Sequence, residues 1–310
     1  MAASGGRMRV GVIGVGVMGE HHARIYSGLK TVELLGVADA DGARAAEIAG
    51  KYGAPKFTDY RALLDLRPDA VTIAVPTSGH VAIALDAIAA GVSVLVEKPI
   101  AATREEADRI IAAADAAGVI LMVGHIERFN PAVVALRESI REAHLISLSM
   151  TRVGPVPPRV SDVGIIVDLG VHDIDLAHWL TGSEFEDVHA FRAVPESGRE
   201  DTALMMFRMQ SGVLVQIMTN WLTPFKARRI QAAAREVLVE ADLITQQVRL
   251  YRDYQPDGSY GVREVAVRMA EPLRAEIEAF LKAVSERTPP PVTGRDGRRA
   301  LDIALRALGA

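Results

Sequence analysis

Three groups of residues in this chain have types and spacings that suit chemistry. The first is Glu97-Lys98-Pro99, which follows the mostly apolar, β-branched run 92–96. Such a run is typical of a strand buried on both faces of a parallel sheet, and Pro99 prevents that strand from continuing in an interior ladder. Ligands bind at the carboxyl ends of the strands in open α/β sheets, so Lys98 is predicted to lie at a ligand crevice.

The second group lies in the segment 168–175, Asp-Leu-Gly-Val-His-Asp-Ile-Asp. On a helix, Asp168, His172 and Asp175 share one face, so the carboxylate of Asp168 can orient the imidazole of His172 and raise its basicity. A histidine held in this way suits a general base near neutral pH. Two other interpretations stay open here. One is a capping aspartate followed by a core histidine, and the other is a metal site that includes His178.

The third group is a glycine-rich turn with the pattern G-x-G-x-x-G at Gly14, Gly16 and Gly19. It follows one predicted strand and opens a predicted helix, which is the context required for dinucleotide binding. Gly14 allows the tight turn, Gly16 the close approach of a pyrophosphate, and Gly19 the packing of helix on strand. The helix N-terminus, with Val17 and Met18, is predicted to hold the phosphates.

The type of dinucleotide is indicated by Asp39, which lies 20 residues after Gly19 at the end of the second predicted strand. A carboxylate at this position holds the adenosine ribose hydroxyls, and its charge repels the 2′-phosphate of NADP. The sequence therefore predicts NAD as the cofactor in preference to NADP. Arg44 is the nearest cation that could reverse the choice, and it is expected to face solvent.

Further cofactor contacts are predicted after the fourth and fifth strands. Pro76, Thr77 and His80 follow the fourth strand, and Thr77 and His80 are candidates for the nicotinamide ribose. Ser78 is expected to cap the helix that follows. Glu97 and Lys98 complete the predicted cofactor-binding set.

The elements that position these groups fall into two patterns. Up to residue 123, short apolar strands near 8–13, 32–38, 55–58, 70–75, 92–96 and 119–123 alternate with helical patterns near 17–28, 42–51, 60–65, 79–90 and 103–117. This alternation predicts βαβ units and a doubly wound parallel sheet. Thr103 and Glu106 form a capping box at the start of the last of these helices.

After residue 124 the predicted strands are longer and alternate polar with apolar residues. They fall near 144–153, 185–194, 201–209, 213–221, 228–240, 244–252 and 261–269, with helices near 131–142, 169–181, 272–286 and 296–308. Alternation suits an antiparallel sheet with one covered face. The predicted fold class is therefore α/β, with an N-terminal Rossmann domain (1–123) and a C-terminal α+β domain (124–310) that has a large open, mostly antiparallel sheet.

Composition excludes several classes of function. The 310 residues leave room for two domains, and the net charge of −4 gives no support for nucleic-acid binding. No apolar run approaches the roughly 18 residues of a membrane span, and the first residues lack the apolar core of a signal peptide. The absence of cysteine excludes disulfides and thiolate chemistry. A cytoplasmic location is expected, with neither membrane nor nucleic acid as partner.

In combination, the glycine motif, Glu-Lys-Pro after the fifth strand and Asp-x-x-x-His in the second domain resemble the Gfo/Idh/MocA oxidoreductase family. The resemblance covers nearly the whole chain. It implies oxidation of sugar or inositol hydroxyls with NAD(P), with Lys98 as the catalytic lysine and Asp168 and His172 as the paired acid/base residues. No metal is expected, because this chemistry requires only a base and a positioning cation.

The segments 123–131, 152–159 and 220–224 resemble the UDP-N-acetylglucosamine 3-dehydrogenase branch of that family. This narrower resemblance implies a UDP-linked N-acetylhexosamine as substrate, oxidised at C3. Its diphosphate requires cations or N–H groups, for which the planar fork of arginine is well suited. The predicted substrate contacts are Lys98, Arg128, Asn130, Arg152, Arg159 and His172. Further candidate cations are Lys226, Arg228 and Arg229. For each of these arginines and for Lys226, a role as a solvated surface residue stays equally open.

Three other functions stay open at this point. An inositol or free-sugar dehydrogenase would not need the arginine cluster, and an NAD-dependent glycoside-cleaving enzyme would also begin with oxidation at C3. A non-catalytic sensor of NAD or a sugar belongs to a different class, but it has no need of the proton relay formed by Lys98, Asp168 and His172. A large open sheet further predicts a homodimer or homotetramer formed through the C-terminal domain.

Overall fold

Two units, each with its own sheet, make up the chain. The computed structural model describes residues 6–156, 163–195 and 198–309. The chain passes from the first unit to the second between His125 and Ile126, and the segment Leu273–Arg298 returns to the first. The sequence-based division assigned all of 124–310 to the second domain and did not contain this return.

The first unit holds six parallel strands in the order β3-β2-β1-β4-β5-β6. The strands are β1 Met8–Ile13, β2 Val32–Ala38, β3 Lys56–Phe57, β4 Ala70–Ile73, β5 Ser93–Glu97 and β6 Leu121–Gly124. Chain order reverses direction between β1 and β4, and a ligand crevice forms at the carboxyl ends of strands at such a point. The predicted Rossmann architecture is confirmed.

Helices connect these strands at nearly the predicted positions. They are α1 Val17–Gly28, α2 Gly42–Tyr52, α3 Tyr60–Leu64, α4 Thr77–Ala89 and α5 Arg104–Ala117. The capping box of α5 is formed, since the Thr103 hydroxyl accepts the Glu106 N–H and the Glu106 carboxylate accepts the Thr103 N–H, both at 3.2 Å. The prediction for Ser78 was wrong, because α4 begins at Thr77 and Ser78 lies inside its first turn.

The second unit is built on eight strands in the order β14-β13-β12-β11-β7-β10-β9-β8. They are β7 Leu145–Pro155, β8 Phe185–Ala193, β9 Thr202–Met209, β10 Leu214–Asn220, β11 Leu222–Ala234, β12 Leu238–Asp242, β13 Gln247–Arg252 and β14 Gly261–Glu264. Among the described strands of this second sheet, only β7 and β10 pair in parallel, so the predicted mostly antiparallel sheet is confirmed. The predicted strand 228–240 was wrong as one element, because a turn near Arg235 divides it into β11 and β12.

Alternating burial gives this sheet two different faces. Met205 and Phe207 in β9 are buried, whereas Leu204 and Met206, which alternate with them, are exposed. The remaining helices are α6 Pro131–Ile140, α7 Val171–Thr181, α8 Pro272–Glu286 and α9 Gly294–Leu308. A π-helical turn, Ile166–Gly170, precedes α7, so the predicted regular helix 169–181 was wrong in its first turn. Within the described residues, no helix is both long and apolar enough to cross a lipid bilayer.

Candidate active site

The glycine-rich turn between β1 and α1 has room for a ligand only at its middle glycine. Gly14 has φ of +82°, and a Cβ there would press on the backbone of Ala74. A Cβ on Gly19 would overlap the carbonyl oxygen of Gly14, whereas a Cβ on Gly16 would meet open space. The first and third glycines are therefore required by the packing of helix α1 on the sheet. Gly16 leaves its backbone exposed, so that a ligand such as a pyrophosphate can approach it closely.

A cavity of about 400 Å³ opens beside this turn, at the carboxyl ends of β1, β2 and β4. Four of the residues predicted to bind the cofactor lie on its wall, namely Gly14, Gly16, Asp39 and Pro76. Thr58 and Tyr60 also line it, and sequence reasoning did not identify them. Both follow β3, which is only two residues long and gave a weak sequence signal.

The carboxylate of Asp39 is held in place at this cavity. Its Oδ2 accepts the Val15 N–H at 2.8 Å and its Oδ1 accepts the Asp41 N–H at 2.9 Å. Each carboxylate oxygen can accept a second hydrogen bond, which leaves capacity for two ribose hydroxyls. Together with the N-terminus of α1, which favours phosphate groups, these residues fit a dinucleotide.

Arg44 does not face solvent as predicted. Its Nε donates to the Val15 carbonyl oxygen at 2.8 Å, and its Nη2 and Nη1 form ion pairs with Glu20 at 2.5 Å and Glu47 at 2.9 Å. Hydrogen bonds to Glu47 and Glu20 raise the pKa of Arg44 above its usual value. The cation that could have accepted a 2′-phosphate is thus already bound to two carboxylates beneath the glycine turn, which favours NAD.

Strand β5 delivers Glu97 and Lys98 to different environments. Lys98 is half-buried at the carboxyl end of the sheet, and its peptide bond to Pro99 is cis. Glu97 turns into the interior, where its Oε1 lies 3.0 Å from His22 Nε2 and its Oε2 accepts the Lys98 N–H at 3.3 Å. The Glu97 carboxylate is therefore used inside the protein, and a contact between Glu97 and the cofactor stays a prediction.

The predicted role of His80 also changes. The ring is buried, with Nδ1 2.9 Å from the Pro99 carbonyl oxygen and Nε2 3.0 Å from the Val75 carbonyl oxygen. Burial lowers the pKa of His80, and the two carbonyl groups oppose that effect. The ring ties α4 to the loop that carries Lys98, so His80 positions this loop instead of contacting the nicotinamide ribose.

In the second unit, Asp168 and His172 lie on successive turns at the start of α7. Asp168 is buried in the π-helical turn, and His172 is half-buried in the first α-helical turn. Glu200 holds the start of this segment, since its carbonyl oxygen accepts the Ile165 N–H at 3.0 Å and its Oε1 accepts the Ile166 N–H at 3.3 Å. Glu200 is a positioning residue that sequence reasoning missed, because it is remote in sequence from Asp168.

The predicted substrate arginines are used in buried ion pairs. Arg152 donates through Nε and Nη2 to both oxygens of Asp173 at 2.8 Å, and through Nη1 to Glu127 at 2.7 Å. Arg128 forms the same bidentate pair with Asp175, in which its Nε and Nη2 donate to the two carboxylate oxygens at 2.7 and 2.5 Å. Both guanidinium groups therefore serve the structure of the domain, and the prediction that they contact substrate was wrong.

Asn130 belongs to the same network. Its side-chain nitrogen donates to Glu127 at 3.2 Å and to the Leu243 carbonyl oxygen at 2.9 Å, and its oxygen caps α6 through the Ala132 N–H. It was wrongly predicted as a substrate contact, because its polar atoms are satisfied internally. Arg159, the remaining predicted arginine, lies outside the described residues.

Glu127 is the centre of this network. Burial raises the pKa of Glu127, but the charges of Arg152 and Arg228 outweigh burial and hold it below its usual value. Arg228 contacts Glu127 at 3.1 Å and is only partly covered. Burial and the neighbouring charge of Arg152 lower the pKa of Arg228. This arrangement leaves Arg228 as the partly accessible cation of the network.

The surroundings of Arg229 and Lys226, and of the residues of the possible metal site, show what each side chain contacts. Arg229 lies on the opposite face of β11 from Arg228 and contacts Asp242 at 3.5 Å. Lys226 is exposed and packs over Gly154 near the carboxyl end of β7. His178 bonds to Glu184 at 3.1 Å, and the neighbouring Asp173 is held by Arg152, so these groups do not converge on one ion.

Comparison with known proteins identifies the two units separately. Residues 8–125 match the model of an oxidoreductase family with an NAD-binding Rossmann fold, and residues 144–236 match the GFO/IDH/MocA C-terminal domain. These matches confirm the predictions of an oxidoreductase and of NAD as its cofactor.

The relatives are similar over almost their full length. The UDP-N-acetylglucosamine 3-dehydrogenase of Acidithiobacillus ferrooxidans is 36% identical over 96% of both chains. A solved structure of that enzyme superposes with a TM-score of 0.90, covering 97% of this chain and 96% of the other at 34% identity. The myo-inositol 2-dehydrogenase of Thermotoga maritima is 30% identical over 97% of this chain and 95% of its own.

Proposed function

The chain belongs to the Gfo/Idh/MocA family of NAD-binding oxidoreductases, and on that premise we propose that it oxidises a secondary hydroxyl of a nucleotide sugar to a ketone. The substrate that we assign is a UDP-linked N-acetylhexosamine, oxidised at C3. The full-length likeness to a UDP-N-acetylglucosamine 3-dehydrogenase carries this assignment. The cavity beside Gly16 and Asp39 supports NAD as the partner in the reaction.

The residues that we propose for the chemistry are Lys98, Asp168 and His172. Bound NAD supplies the acceptor for the hydride. The Lys98 ammonium donates a hydrogen bond to the substrate hydroxyl oxygen and stabilises the negative charge that develops there. His172 accepts the hydroxyl proton, and Asp168 orients the imidazole for that transfer.

Loss of the lysine tests this assignment directly. Lys98→Met keeps an unbranched side chain that is one atom shorter and removes the charge, and kcat should fall about 100-fold or more. Binding of the reduced cofactor, NADH, followed by its fluorescence, should change little, because Gly16 and Asp39 are unaltered. Near-normal turnover of the best substrate by this variant would reject the proposed role of Lys98.

The diphosphate of the substrate requires cations. Among the candidates in the described ranges, Lys226, Arg228 and Arg229 remain after the buried Arg128 and Arg152 are excluded, and Arg229 lies on the opposite face of β11 from Arg228. Arg228 is only partly covered, and Lys226 is exposed near the carboxyl end of β7. We assign the diphosphate to these two side chains. Charge removal at Lys226 should raise KM for the nucleotide sugar without changing KM for NAD, whereas Lys282, an exposed lysine of α8, serves as the control.

A second function of the same family is favoured by one observation. Arg128 and Arg152 are buried in ion pairs, so two of the cations that were predicted to bind the substrate diphosphate are already used. An inositol dehydrogenase would not need them, and one relative is a myo-inositol 2-dehydrogenase. NADH formation with myo-inositol but not with UDP-N-acetylglucosamine would favour this alternative. Tight NAD binding without turnover of any sugar would instead favour a sensor.

We also propose that the chain assembles through the exposed face of the eight-stranded sheet. Phe191, Leu204, Met206 and Leu214 lie on that face and are all exposed. Apolar surface on adjacent strands is typical of a protein–protein contact. A homodimer or homotetramer is the expected form, and the cytoplasmic location stays a prediction that cell fractionation would test.

A further inference from the structure

A buried cluster of three titratable side chains lies at the carboxyl end of β5, immediately before Lys98 in the chain. His22 comes from α1, Glu97 from the end of β5 and Glu276 from α8, and all three belong to the first unit. A ring nitrogen of His22 and one carboxylate oxygen from each glutamate lie within 4.8 Å of one another. His22 and Glu276 are 0% exposed and Glu97 is 8% exposed, so water does not screen these groups.

Two members of the cluster are connected to the backbone of Lys98. His22 Nε2 lies 3.0 Å from Glu97 Oε1, and the other carboxylate oxygen of Glu97 accepts the Lys98 N–H at 3.3 Å. On its other side, His22 Nδ1 lies 3.3 Å from the Thr72 hydroxyl, which in turn lies 2.9 Å from the Tyr26 hydroxyl. The orientation of the Glu97 carboxylate therefore helps to fix the position of the Lys98 backbone.

Glu276 differs from the other two. Neither of its carboxyl oxygens has a hydrogen-bond partner among the residues that the structure describes. An ionised carboxylate without hydrogen bonds is very costly in a protein interior, and a second negative charge beside it adds to that cost. Burial, and then the charge of Glu97, raise the pKa of Glu276 well above its usual value.

Glu97 is shifted in the opposite direction. Burial raises its pKa, but the hydrogen bond and charge of His22 and the charge of Lys98 outweigh burial and lower it overall. Two neighbouring carboxyl groups whose environments separate their pKa values in this way divide into one acid and one carboxylate. The titratable groups that face Glu276 are His22 and Tyr26 from α1 and Glu97 from β5.

We propose that Glu276 is a positioning residue for Lys98, present as a neutral carboxylic acid that directs its proton toward the carboxylate of Glu97. The two carboxyl groups lie within 4.8 Å of each other, a separation that one bridging water can span. The neutral acid stabilises Glu97 in the orientation that accepts the Lys98 N–H, without adding a negative charge near the ammonium. This inference rests on the proposed role of Lys98 in the reaction.

Two variants of Glu276 separate positioning from packing. Glu276→Gln is neutral, has nearly the same shape and keeps a donor, so kcat should stay within about twofold of the parent. Glu276→Leu fills a similar volume without a donor, and kcat should fall about tenfold while KM for NAD changes little. A merely structural role predicts the reverse for leucine, because replacing a buried polar group by an apolar one of similar volume is often neutral or stabilising. Glu278→Gln, an exposed change on the same helix, is the control.

The protonation of Glu276 can be measured without any substrate. Infrared difference spectra between the parent and Glu276→Gln at pH 7 should show the carbonyl stretch of a protonated carboxylic acid in the parent only. The absence of this band would overturn the inference, even if turnover was normal. If no sugar is turned over, the band still decides the state of Glu276, so failure of the proposed function is recognised separately.

Two further measurements complete the test. In Glu97→Gln, replacing Glu276 by leucine should cost much less in kcat than it does in the parent, because the two residues act in one network. Additive losses would contradict the coupling. A cation enclosed by the three groups is the competing account, and a stoichiometric metal in the purified protein that is lost from Glu276→Gln would establish it and overturn ours.

Discussion

Asp39 carries the choice of cofactor at the scale of a single residue. Its carboxylate is fixed by the backbone N–H groups of Val15 and Asp41, and the nearby Arg44 is bound to Glu20 and Glu47. The negative charge at the ribose position is therefore not compensated by that arginine. Specificity for NAD over NADP follows from the charge of one side chain.

Asp39→Asn tests this specificity because it removes the charge, while it keeps the shape and one of the two oxygens that accept the Val15 and Asp41 N–H groups. We expect kcat/KM with NAD to fall about tenfold, equivalent to about 1.4 kcal/mol, from the loss of a charged hydrogen bond to the ribose. The ratio of kcat/KM for NADP to that for NAD should rise. Glu33→Gln, an exposed change on β2, is the control, and equal losses with both cofactors would contradict the argument.

Residue types alone located part of the site. The glycine spacing and Asp39 could be identified because a ligand crevice at strand ends requires those residues at fixed positions. Arg128 and Arg152 were misassigned because a sequence does not show which carboxylate a buried arginine meets. Glu276 left a weaker signal, since it lies on the apolar stripe of α8 with Leu273, Ile277 and Phe280.

At the scale of elements, the side chain of Glu127 connects the short turn on which it lies to strands β7 and β11. It accepts from Arg152 at 2.7 Å and from Arg228 at 3.1 Å, and it is buried. Removing one partner of a buried ion pair leaves the opposite charge uncompensated. Through Arg152, which also pairs with Asp173, this network connects β7 to α7, the helix that carries His172.

Glu127→Gln should lower the free energy of unfolding at pH 7 by about 3 kcal/mol. The pKa of Glu127 is lowered in the folded state, so its contribution is complete above its unfolded value of about 4.5 and is lost as the pH falls through the folded value. The difference between parent and variant should therefore shrink in acid. Urea unfolding at pH 7 and at lower pH measures this change.

A matched control for that variant is Glu138→Gln on the exposed side of α6. Glu138 pairs with Arg141 at 3.2 Å, with both side chains at least 60% exposed. Exposed pairs contribute about 0.5 kcal/mol or less, so this change should be almost silent. Equal destabilisation by the two variants, or a difference for Glu127→Gln that does not vary with pH, would refute the buried network as the cause.

The π-helical turn before α7 gives a second prediction at this scale. Glu200 accepts the Ile166 N–H through its side chain, so Glu200→Ala removes a contact that holds Asp168 in position. We expect kcat to fall about tenfold with little change in KM for NAD, because small misplacements of catalytic groups are costly. Glu200→Gln keeps an acceptor oxygen and should retain most of the activity. Equal activity of both variants would show that Glu200 does not position this turn.

Elements were predicted well where a local signal marks both ends. The capping box at Thr103 and Glu106 fixed the start of α5, and strict alternation fixed β9 and β10. The turn near Arg235 was missed because it contains no glycine or proline to divide β11 from β12. The π-helical turn was missed because the spacing of Asp168 and His172 also fits a regular helix.

At the scale of the whole molecule, the least predictable feature was the return of 273–298 to the first unit. The amphipathic pattern of α8 predicts a helix with one buried face, but a pattern of this kind does not specify which sheet covers that face. The return matters because it brings Glu276 to Glu97. A division of the chain at residue 123 would separate the two residues that we infer to act together.

Assembly is the last prediction, and it concerns the exposed face of the large sheet. Phe191 pairs with Leu204, and Leu204 pairs with Met218, so an apolar row crosses β8, β9 and β10 on that face. Met206, 59% exposed, lies two residues along β9 from this row. A charge placed in the centre of an apolar contact would be buried without a partner when two copies meet.

Met206→Asp should therefore convert the oligomer to monomers in light scattering after size exclusion. Leu66→Asp places the same charge on an exposed leucine of the first unit and should leave the assembly intact. Burial of an unpaired carboxylate costs several kcal/mol, so the dissociation constant should rise at least about 100-fold. If the parent is monomeric at micromolar concentration, or if Met206→Asp keeps the parent's mass, the exposed row has another role and assembly through β8–β10 is rejected.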